Sequence, residues 1–327
     1  MRTAKWPIEF RDVLEARRRI GPYLPPTPLR NYPPLDEVVG NGIRVWVKHE
    51  NHNPTNSFKA RNAMSVLTAL SASELRQGVL GATRGNHGQG LAWAGSILGA
   101  PVTVCVPFGN NREKNEAIRG FGAELVEAGR DYDECLEVAE RLVAERGMRM
   151  VHSTNEPLVL AGAATLTLEI LEERPRIEAI VVAVGGGSQS VGALTVVREI
   201  APRMRVYAVQ AERASAVHDS WHAGRVLTRD SADTFADGLA TRRPYEMTFP
   251  ALCEGLSGFV TASESEIAEA VRLLLSTAHN LAEGAGAAGL AGLRRLSEEL
   301  AGREVAVILS GGNIDAETLG KVVARAL

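Results

Sequence analysis

Lys59 lies in a polar turn, Asn53-Pro-Thr-Asn-Ser-Phe-Lys-Ala-Arg-Asn62, that leads directly into an apolar helical stretch over residues 63–70. A lysine at such a strand-to-helix junction has its ammonium held near backbone donors rather than in solvent, and this setting can lower the pKa of the amine. An amine with a lowered pKa can act as a nucleophile that forms a Schiff base. Because most lysines are solvated surface charges, Lys59 alone would prove little.

Three glycine-containing loops, each at the end of a hydrophobic strand, give this lysine a chemical context. They are Thr83-Arg-Gly-Asn-His-Gly88, Gly185-Gly-Gly-Ser188 and Ser310-Gly-Gly-Asn313. Parallel α/β sheets bind ligands beyond the carboxyl ends of their strands, and all three loops are expected to lie there. Together with Lys59, the loops predict an enzyme that uses pyridoxal phosphate.

The loop formed by Gly185, Gly186, Gly187 and Ser188 has the pattern of an anion site, which we call the phosphate loop. It follows an apolar strand at residues 180–184 and precedes a helix expected from residue 190. Backbone N–H groups and the helix dipole would both point at a phosphate, and the glycines allow close approach. A dinucleotide fold is disfavoured, because Ser190 replaces the third glycine of GxGxxG and the next strand ends at Gln210 without a carboxylate for a ribose. A plain glycine turn remains the alternative.

A second loop, which we call the substrate loop, has the same placement between a strand and a helix. It consists of Thr83, Arg84, Gly85, Asn86 and His87. The threonine hydroxyl and the successive N–H groups would suit a carboxylate, the obligatory group of an amino-acid substrate. We therefore predict that these five residues bind substrate. A lone histidine in such a loop is more often a structural hydrogen-bonding residue.

These motifs resemble those of the fold-type II pyridoxal phosphate enzymes, the threonine/serine dehydratase and serine racemase family. The resemblance runs from about Pro25 to the last residues. Its most specific segments are Asn56-Ser-Phe-Lys-Ala-Arg61, Gly85-Asn-His-Gly-Gln89, the phosphate loop, Glu283-Gly-Ala-Gly-Ala-Ala288 and Ser310-Gly-Gly-Asn-Ile-Asp315. It implies an α/β fold like that of the tryptophan synthase beta chain, with parallel open sheets in a large and a small domain. Because the chain stops soon after Asp315, we expect no carboxy-terminal effector-binding domain.

The resemblance also implies a role for each motif. Lys59 would be the catalytic lysine that holds the cofactor as a Schiff base, and Phe58 would lie against the pyridine ring. Asn86 would contact the phenolic oxygen of the cofactor, Ser310 its pyridine nitrogen and the phosphate loop its phosphate. The implied reaction is β-elimination from a β-hydroxy L-amino acid of the serine/threonine class, which gives a 2-oxo acid and ammonia. An amino-acid racemase or a β-replacement synthase of the same fold is the alternative.

Arg84 departs from the pattern of the family, which usually has Ser-Ser-Gly-Asn-His at this loop. In serine racemases the second serine is the acid/base on the face opposite the lysine, and arginine stays protonated, so we expect poor racemisation. Arg84 could bind a second carboxylate, which would favour 3-hydroxyaspartate. It could also stack on the ring of a phenylserine-type substrate. The third possibility is a structural salt bridge that points away from the pocket.

The divalent-cation site of the family is the second departure. Its acidic ligands follow a strand like residues 206–209, where this chain has Gln210 and Ala216, neither of them an anionic ligand. Glu212 and Asp219 lie nearby in the sequence but do not match the pattern. His218 and His222 have i,i+4 spacing without a third ligand, which is more typical of a surface helix. We expect no metal.

The elements that position these loops alternate between strand and helix almost throughout the chain, the pattern of an α/β protein with parallel sheets. A βαβ cluster predicts a small domain at residues 71–152, inserted in a large cofactor-binding domain formed by residues 1–70 and 153–327. Residues 210–260 are expected to be rich in loops.

Composition agrees with an ordinary globular enzyme. The apolar fraction is 45%, the charged fraction 23% and the net charge −3, so nothing indicates a nucleic-acid partner. No apolar stretch approaches the roughly 20 residues that a membrane span needs. Residues 1–10 lack the apolar core of a secretory signal, and the three cysteines show no disulfide or zinc spacing. We expect a cytoplasmic homo-oligomer, a dimer or tetramer, whose partner is a small amino-acid substrate.

Overall fold

The structure, a computed structural model, describes residues 6–130 and 132–327, without the side chains of residues 132 and 133. Residues 1–5, which belong to the amino-terminal segment considered above, lie outside the described residues.

Strands and helices alternate as the sequence predicts. The strands of the described residues are β1 (Leu29–Asn31), β2 (Arg44–His49), β3 (Val79–Ala82), β4 (Val102–Val106), β5 (Glu124–Glu127), β6 (Arg149–Met150), β7 (Ala179–Ala183), β8 (Arg205–Ala211), β9 (Gly258–Ala262) and β10 (Glu304–Leu309). The helices are α1 (Phe10–Ile20), α2 (Pro33–Val39), α3 (Lys59–Leu67), α4 (Ala72–Gln77), α5 (Asn86–Leu98), α6 (Arg112–Gly120), α7 (Tyr132–Arg146), α8 (Pro157–Glu173), α9 (Ser188–Ile200), α10 (Ala216–Ala223), α11 (Phe249–Gly255), α12 (Glu264–Thr277), α13 (Gly284–Arg295) and α14 (Ala316–Val323).

The larger sheet has six strands in the order β1-β2-β10-β7-β8-β9. Every pair is parallel except β1 with β2, which closes one edge as an antiparallel strand. Helices α12 and α13 pack on one face, and α8, α9 and α11 cover the other. Because both faces are covered, the central strands are apolar throughout rather than alternating, as the run at β7 predicts.

The smaller sheet is also parallel, with strands in the order β5-β4-β3-β6. Helices α3 and α5 pack on one face, and α7 covers the other through a small cluster that contains the buried Cys105 and Cys135. All four strands fall inside the segment predicted as the small domain. The domain boundaries at residues 70/71 and 152/153 remain a prediction.

Residues 210–260 are rich in loops, as the sequence predicts, but they also contain α10, α11 and the start of β9, which the sequence did not indicate. These elements are 8, 7 and 5 residues long, too short for periodicity to distinguish from turns. Helix α9 begins at Ser188 rather than near residue 190, because Gly187 adopts a left-handed conformation (φ 94°) that caps it early.

The segments that position the site confirm the predicted arrangement. Strand β3 ends directly before the substrate loop, β7 before the phosphate loop and β10 before Ser310. All three loops therefore lie at the carboxyl ends of parallel strands. Across the described part of the chain, no helix combines the length and the apolar character needed to cross a membrane.

Candidate active site

One cavity of about 1010 Å³ brings all the predicted site residues together. Its lining includes Phe58, Lys59, Thr83, Arg84, Gly85, Asn86, His87, Gly185, Gly186, Gly187, Ser188 and Ser310. These residues come from both sheets, so the cavity lies between the two.

The turn that carries Lys59 is fixed to the loop that follows β10. Ser57 and Gly311 form an antiparallel bridge, and the Phe58 N–H donates to the Ser310 carbonyl at 3.0 Å. On the other side, Gly90 of α5 approaches the Lys59 backbone so closely that a Cβ there would lie 2.7 Å from the Lys59 carbonyl oxygen. The backbone at Lys59 is therefore held between two elements before any ligand binds.

The Lys59 amine has no carboxylate partner among the described residues. Its Nζ donates to the Ser153 carbonyl at 3.2 Å and lies 4.9 Å from the centroid of the Phe58 ring. Burial lowers the pKa of Lys59 from 10.5 to about 8. Roughly a tenth of the amine is then unprotonated at pH 7, far more than for a surface lysine. The lowered pKa that the sequence predicts is confirmed in direction.

The phosphate loop forms a cradle that side chains would fill. A Cβ on Gly185 would lie 2.1 Å from the Gly238 carbonyl oxygen, and one on Gly186 would lie 2.1 Å from Oγ1 of Thr154. The first three N–H groups of α9, from Ser188 onward, have no partner within the helix. A phosphate at this helix end would meet these donors and the positive end of the helix dipole.

Buried polar atoms next to this cradle also lack protein partners. The Nε2 atom of Gln189 and the hydroxyl of Ser190 are buried without a hydrogen bond in the described structure. Buried donors normally have an acceptor. The cradle, its free N–H groups and the lysine amine across the cavity therefore fit pyridoxal phosphate.

The substrate loop keeps the free N–H groups that a carboxylate needs, since α5 begins at Asn86 without a side-chain cap. The Thr83 hydroxyl accepts the Gly85 N–H at 3.0 Å, which shapes the loop and leaves the hydroxyl proton available. The His87 ring contacts the Val151 carbonyl at 2.9 Å, and burial together with the charge of Lys59 lowers its pKa to about 3. His87 is therefore neutral and structurally engaged, as a lone histidine in such a loop tends to be.

Arg84 is exposed at the rim of the cavity. No ion pair joins it to any described side chain, so the possibility of a structural salt bridge gains no support from residues 6–130 and 132–327. Its guanidinium is a cation beside the proposed carboxylate site, where no carboxylate of the described part of the chain pairs with it.

Asn86 is held by two residues that the sequence reasoning did not single out. Its Nδ2 donates to Glu283, and its Oδ1 accepts from Asn313 at 2.7 Å. Burial raises the pKa of Glu283, although nearby Lys114 opposes this. Glu283 stood in the motif of residues 283–288, but its contact with a side chain 197 positions away left no local signal.

An ion pair joins two residues that line the cavity. Lys114 of α6, packed on Gly85, donates to Asp237 at 2.7 Å, and Asp237 belongs to the segment before α11. Burial opposes the charge of Lys114, but Glu283 and Asp237 outweigh it and raise the pKa of the amine. Both residues of the pair line the main cavity and also a smaller one of about 440 Å³. Sequence reasoning missed both residues.

The positions aligned with the family's cation site serve other purposes. The Gln210 side chain is buried, and its Oε1 accepts the N–H groups of Val217 and His218 at the start of α10. Asp219 pairs with Arg229. Among the residues that the structure describes, no group of three or more His, Cys, Asp or Glu side chains could hold a metal.

Comparison with known protein families identifies one that matches most of the chain. The family described as pyridoxal-phosphate dependent enzymes matches residues 20–311. The chain belongs to this family. The predictions of a pyridoxal phosphate cofactor and of the fold class are therefore confirmed.

Individual members of the pyridoxal-phosphate dependent family resemble the chain over most of its length. An L-threonine ammonia-lyase of Thermotoga maritima is 36% identical over 321 residues, 98% of this chain and 79% of that protein. An L-threo-3-hydroxyaspartate ammonia-lyase of a Pseudomonas species is 32% identical over 94% of this chain and 96% of its own. The crystal structure of a threonine deaminase from T.th. superimposes with a TM-score of 0.89 at 36% identity, covering 94% of this chain and 99% of that one.

Proposed function

We propose that this pyridoxal-phosphate-dependent enzyme is an ammonia-lyase that converts a β-hydroxy L-amino acid to a 2-oxo acid and ammonia. The observation that carries the proposal is the position of the uncompensated Lys59 amine, in one cavity with a phosphate cradle and a carboxylate loop. The ammonia-lyase and deaminase names of the similar proteins agree with it.

We assign the roles as follows. The phosphate loop would hold the cofactor phosphate, Phe58 would lie against the pyridine ring and Ser310 would contact the pyridine nitrogen. Asn86, oriented by Glu283 and Asn313, donates its remaining amide proton to the phenolic oxygen. The substrate carboxylate binds the N–H groups of the loop at residues 83–87. These assignments are supported by the common cavity.

The chemistry divides between cofactor and protein. Pyridoxal phosphate supplies an electron sink that acidifies the proton on the substrate Cα. The Lys59 Nζ accepts that proton and returns it to the departing β-oxygen, which leaves as water. A hydroxyl at Ser310, unlike a carboxylate, would not hold the pyridine nitrogen protonated, and this would favour prompt elimination.

Racemisation is disfavoured by the residue at position 84. A racemase needs a group that can give and take a proton on the face opposite the lysine, and a guanidinium stays protonated. Of the other titratable groups in the cavity, Lys114 is engaged with Asp237. L-serine should therefore yield oxo acid without accumulation of D-serine.

A dicarboxylate substrate is the second candidate, and Arg84 favours it. A guanidinium at the cavity rim with no partner among the described side chains could bind the distal carboxylate of 3-hydroxyaspartate in bidentate fashion. The related Pseudomonas ammonia-lyase acts on L-threo-3-hydroxyaspartate by its name.

A substrate panel tests the proposal. Holoenzyme is offered the stereoisomers of serine, threonine, 3-hydroxyaspartate and phenylserine, and oxo-acid release is measured. We expect release from at least one L-isomer, complete loss in Lys59→Ala and full retention in Lys321→Ala, a matched surface lysine paired with Glu317. Substantial activity in Lys59→Ala would refute the assignment. Release of a thioether after addition of a thiol would instead indicate a β-replacement synthase.

We also propose that the enzyme is a cytoplasmic homo-oligomer with no nucleic-acid partner. The net charge of −3 supports the last point, because phosphate backbones attract basic surfaces. Light scattering of the purified holoenzyme would test the oligomeric state, with a dimer or tetramer as the expected result and a monomer as the contrary one.

A further inference from the structure

His152 is a further titratable group in the active-site cavity, on the segment between β6 and α8. Its ring lies edge-on to Tyr245, with 5.2 Å between the centroids, in the cavity that also contains Lys59 and the phosphate loop. The carbonyl of the next residue, Ser153, accepts the Lys59 amine at 3.2 Å. The imidazole is therefore held close to the reacting amine.

The hydrogen bonds of His152 determine its tautomer. Nδ1 accepts the N–H groups of Thr154 at 2.9 Å and Asn155 at 2.8 Å. A ring nitrogen that accepts two hydrogen bonds carries no proton, so the hydrogen is on Nε2. No described residue pairs with this Nε2.

The ring also stays uncharged over the pH range in which such an enzyme works. Burial, followed by the nearby charge of Lys59, lowers the pKa of His152 to about 4. Above that pH, the group presents a neutral N–H donor rather than an acid.

We propose that the Nε2–H of His152 donates a hydrogen bond to the β-oxygen of the substrate as that oxygen departs. The inference rests on the proposed function, because it concerns the leaving group of a β-elimination. The Cα–H and Cβ–O bonds break and a Cα=Cβ bond forms. Negative charge develops on the oxygen, and a fixed donor stabilises it. His152 keeps its proton, since the proton that completes the water molecule comes from Lys59 Nζ, which took it from Cα.

Two other groups of the cavity are less suited to this role. His87 contacts the Val151 carbonyl through its own Nε2, and Lys114 is occupied by Asp237. His152 differs because its two structural hydrogen bonds use only Nδ1.

Two substitutions separate the structural contact from the proposed donor. In His152→Asn, the amide oxygen takes the place of Nδ1 and still accepts from Thr154 and Asn155, but no donor reaches the place of Nε2. In His152→Gln, the amide nitrogen takes the place of Nε2, while the acceptor for the backbone is lost. A merely structural histidine would be replaced better by asparagine, and a donor better by glutamine.

The leaving group provides the decisive readout. L-serine loses a hydroxyl that needs stabilisation, whereas β-chloro-L-alanine loses chloride, which needs no hydrogen-bond donor. In His152→Asn we expect kcat for L-serine to fall by about 100-fold or more, within the range for removal of one transition-state donor, and kcat for β-chloro-L-alanine by less than about 3-fold. His152→Gln should retain more activity on L-serine than His152→Asn does. An absorbance titration should give the same pyridoxal phosphate affinity for His152→Asn and wild type.

Equal losses on the two substrates, or a fully active His152→Asn, would overturn the inference. Weakened cofactor binding in His152→Asn would also overturn it, because this result would indicate that Nε2–H donates to the cofactor phosphate instead. These outcomes are distinct from failure of the proposed function, in which wild-type enzyme itself would release oxo acid from none of the β-hydroxy amino acids of the substrate panel. Melting temperatures of both variants identify any loss that comes from unfolding.

Discussion

Two groups of buried charge lie on either side of the start of α3, and they are built in opposite ways. On one side, Lys48, Glu50, Arg61 and Glu169 form a cluster with almost no solvent exposure. On the other side, Lys59 faces the cavity without a carboxylate partner among the described residues. Arg61 and Lys59 are two positions apart in one helix, so the contrast comes from their surroundings and not from the backbone.

The buried cluster is fully compensated. Arg61 contacts Glu50 and Glu169 at 2.7 Å each, and Lys48 contacts Glu169 at 2.6 Å. Although burial alone opposes ionisation, the charges of Glu50 and Glu169 raise the pKa of Arg61, and Arg61 holds that of Glu50 below its ordinary value. Ions paired in this way have no reason to react, and they fix α3 against β2 and α8.

The site differs at Lys59, whose amine has no ionic partner among the described residues, although Lys114 and Asp237 form an ion pair in the same cavity. Burial lowers the pKa of Lys59 and raises that of Glu283, so both groups are shifted toward their neutral forms. Burial alone therefore does not make a lysine reactive. Burial without an ionic partner does, and the paired cluster next door keeps the backbone in place while the amine reacts.

The largest expected effect is on the compensated side. Arg61→Met leaves Glu50 and Glu169 buried with less positive charge, and we expect a loss of about 3–5 kcal/mol in the free energy of unfolding. Urea denaturation at pH 7 measures it. Arg112→Met is the matched control, since it breaks an exposed pair with Glu116 and should change stability little. If both variants behaved alike, the cluster would not be what fixes α3.

In the active-site cavity, the next prediction concerns the substrate preference that Arg84 gives the enzyme. If Arg84 binds a distal carboxylate, Arg84→Ser should lower kcat/KM for L-threo-3-hydroxyaspartate. The activation free energy should rise by about 1.5–3 kcal/mol, the range for a charge-assisted hydrogen bond. Turnover of L-threonine should stay nearly intact. Equal losses on the two substrates would identify Arg84 as a scaffold residue and would exclude the dicarboxylate interpretation.

In the cofactor-free protein, the buried Lys59 amine should lower the free energy of unfolding. Its pKa falls from 10.5 to about 8 on folding, so between these values the unfolded state binds more protons and wild-type stability rises with pH. Lys59→Met, which lacks this group, should therefore melt higher than wild type at pH 7 and lose that advantage by about pH 10.5. Thermal melts across this range check the trend. The surface variant Lys321→Met should show no such gain.

Neutralising two buried glutamates should change stability with opposite signs, and the effect at Glu283 is the smallest expected. The pKa of Glu283 is raised by burial, so wild-type stability falls as pH rises through its titration. Glu283→Gln should then melt slightly higher than wild type at pH 7, with the gain shrinking toward about pH 4. Glu50→Gln should melt lower at pH 7, because that carboxylate is stabilised by Arg61. A shift in the same direction for both would contradict the contrast.

Much of the fold could be predicted because its signals are local. The apolar runs at β7 and β10 and the glycines after them each occupy a few consecutive residues, and their order along the chain places the loops at one end of the sheets. The elements α10, α11 and β9 were missed because each is short and half exposed.

The polar partners of the site could not be predicted for a different reason. Lys114 and Asp237 are 123 positions apart in the sequence, and Asn86 and Glu283 are 197 positions apart. Such contacts depend on how the sheets pack and leave no pattern in the neighbouring sequence. The buried cluster was missed because charged residues such as Glu169 are usually on the surface.

The pKa of the Lys59 amine in the cofactor-free enzyme tests most directly whether burial without an ionic partner makes this lysine reactive. Only the unprotonated amine attacks an aldehyde, so the rate at which added pyridoxal phosphate becomes fixed by borohydride reduction reports that pKa, and peptide mapping identifies the lysine. We predict a rate profile with its midpoint at about 8, at Lys59. A midpoint at the ordinary 10.5, or fixation at another lysine, would contradict the account.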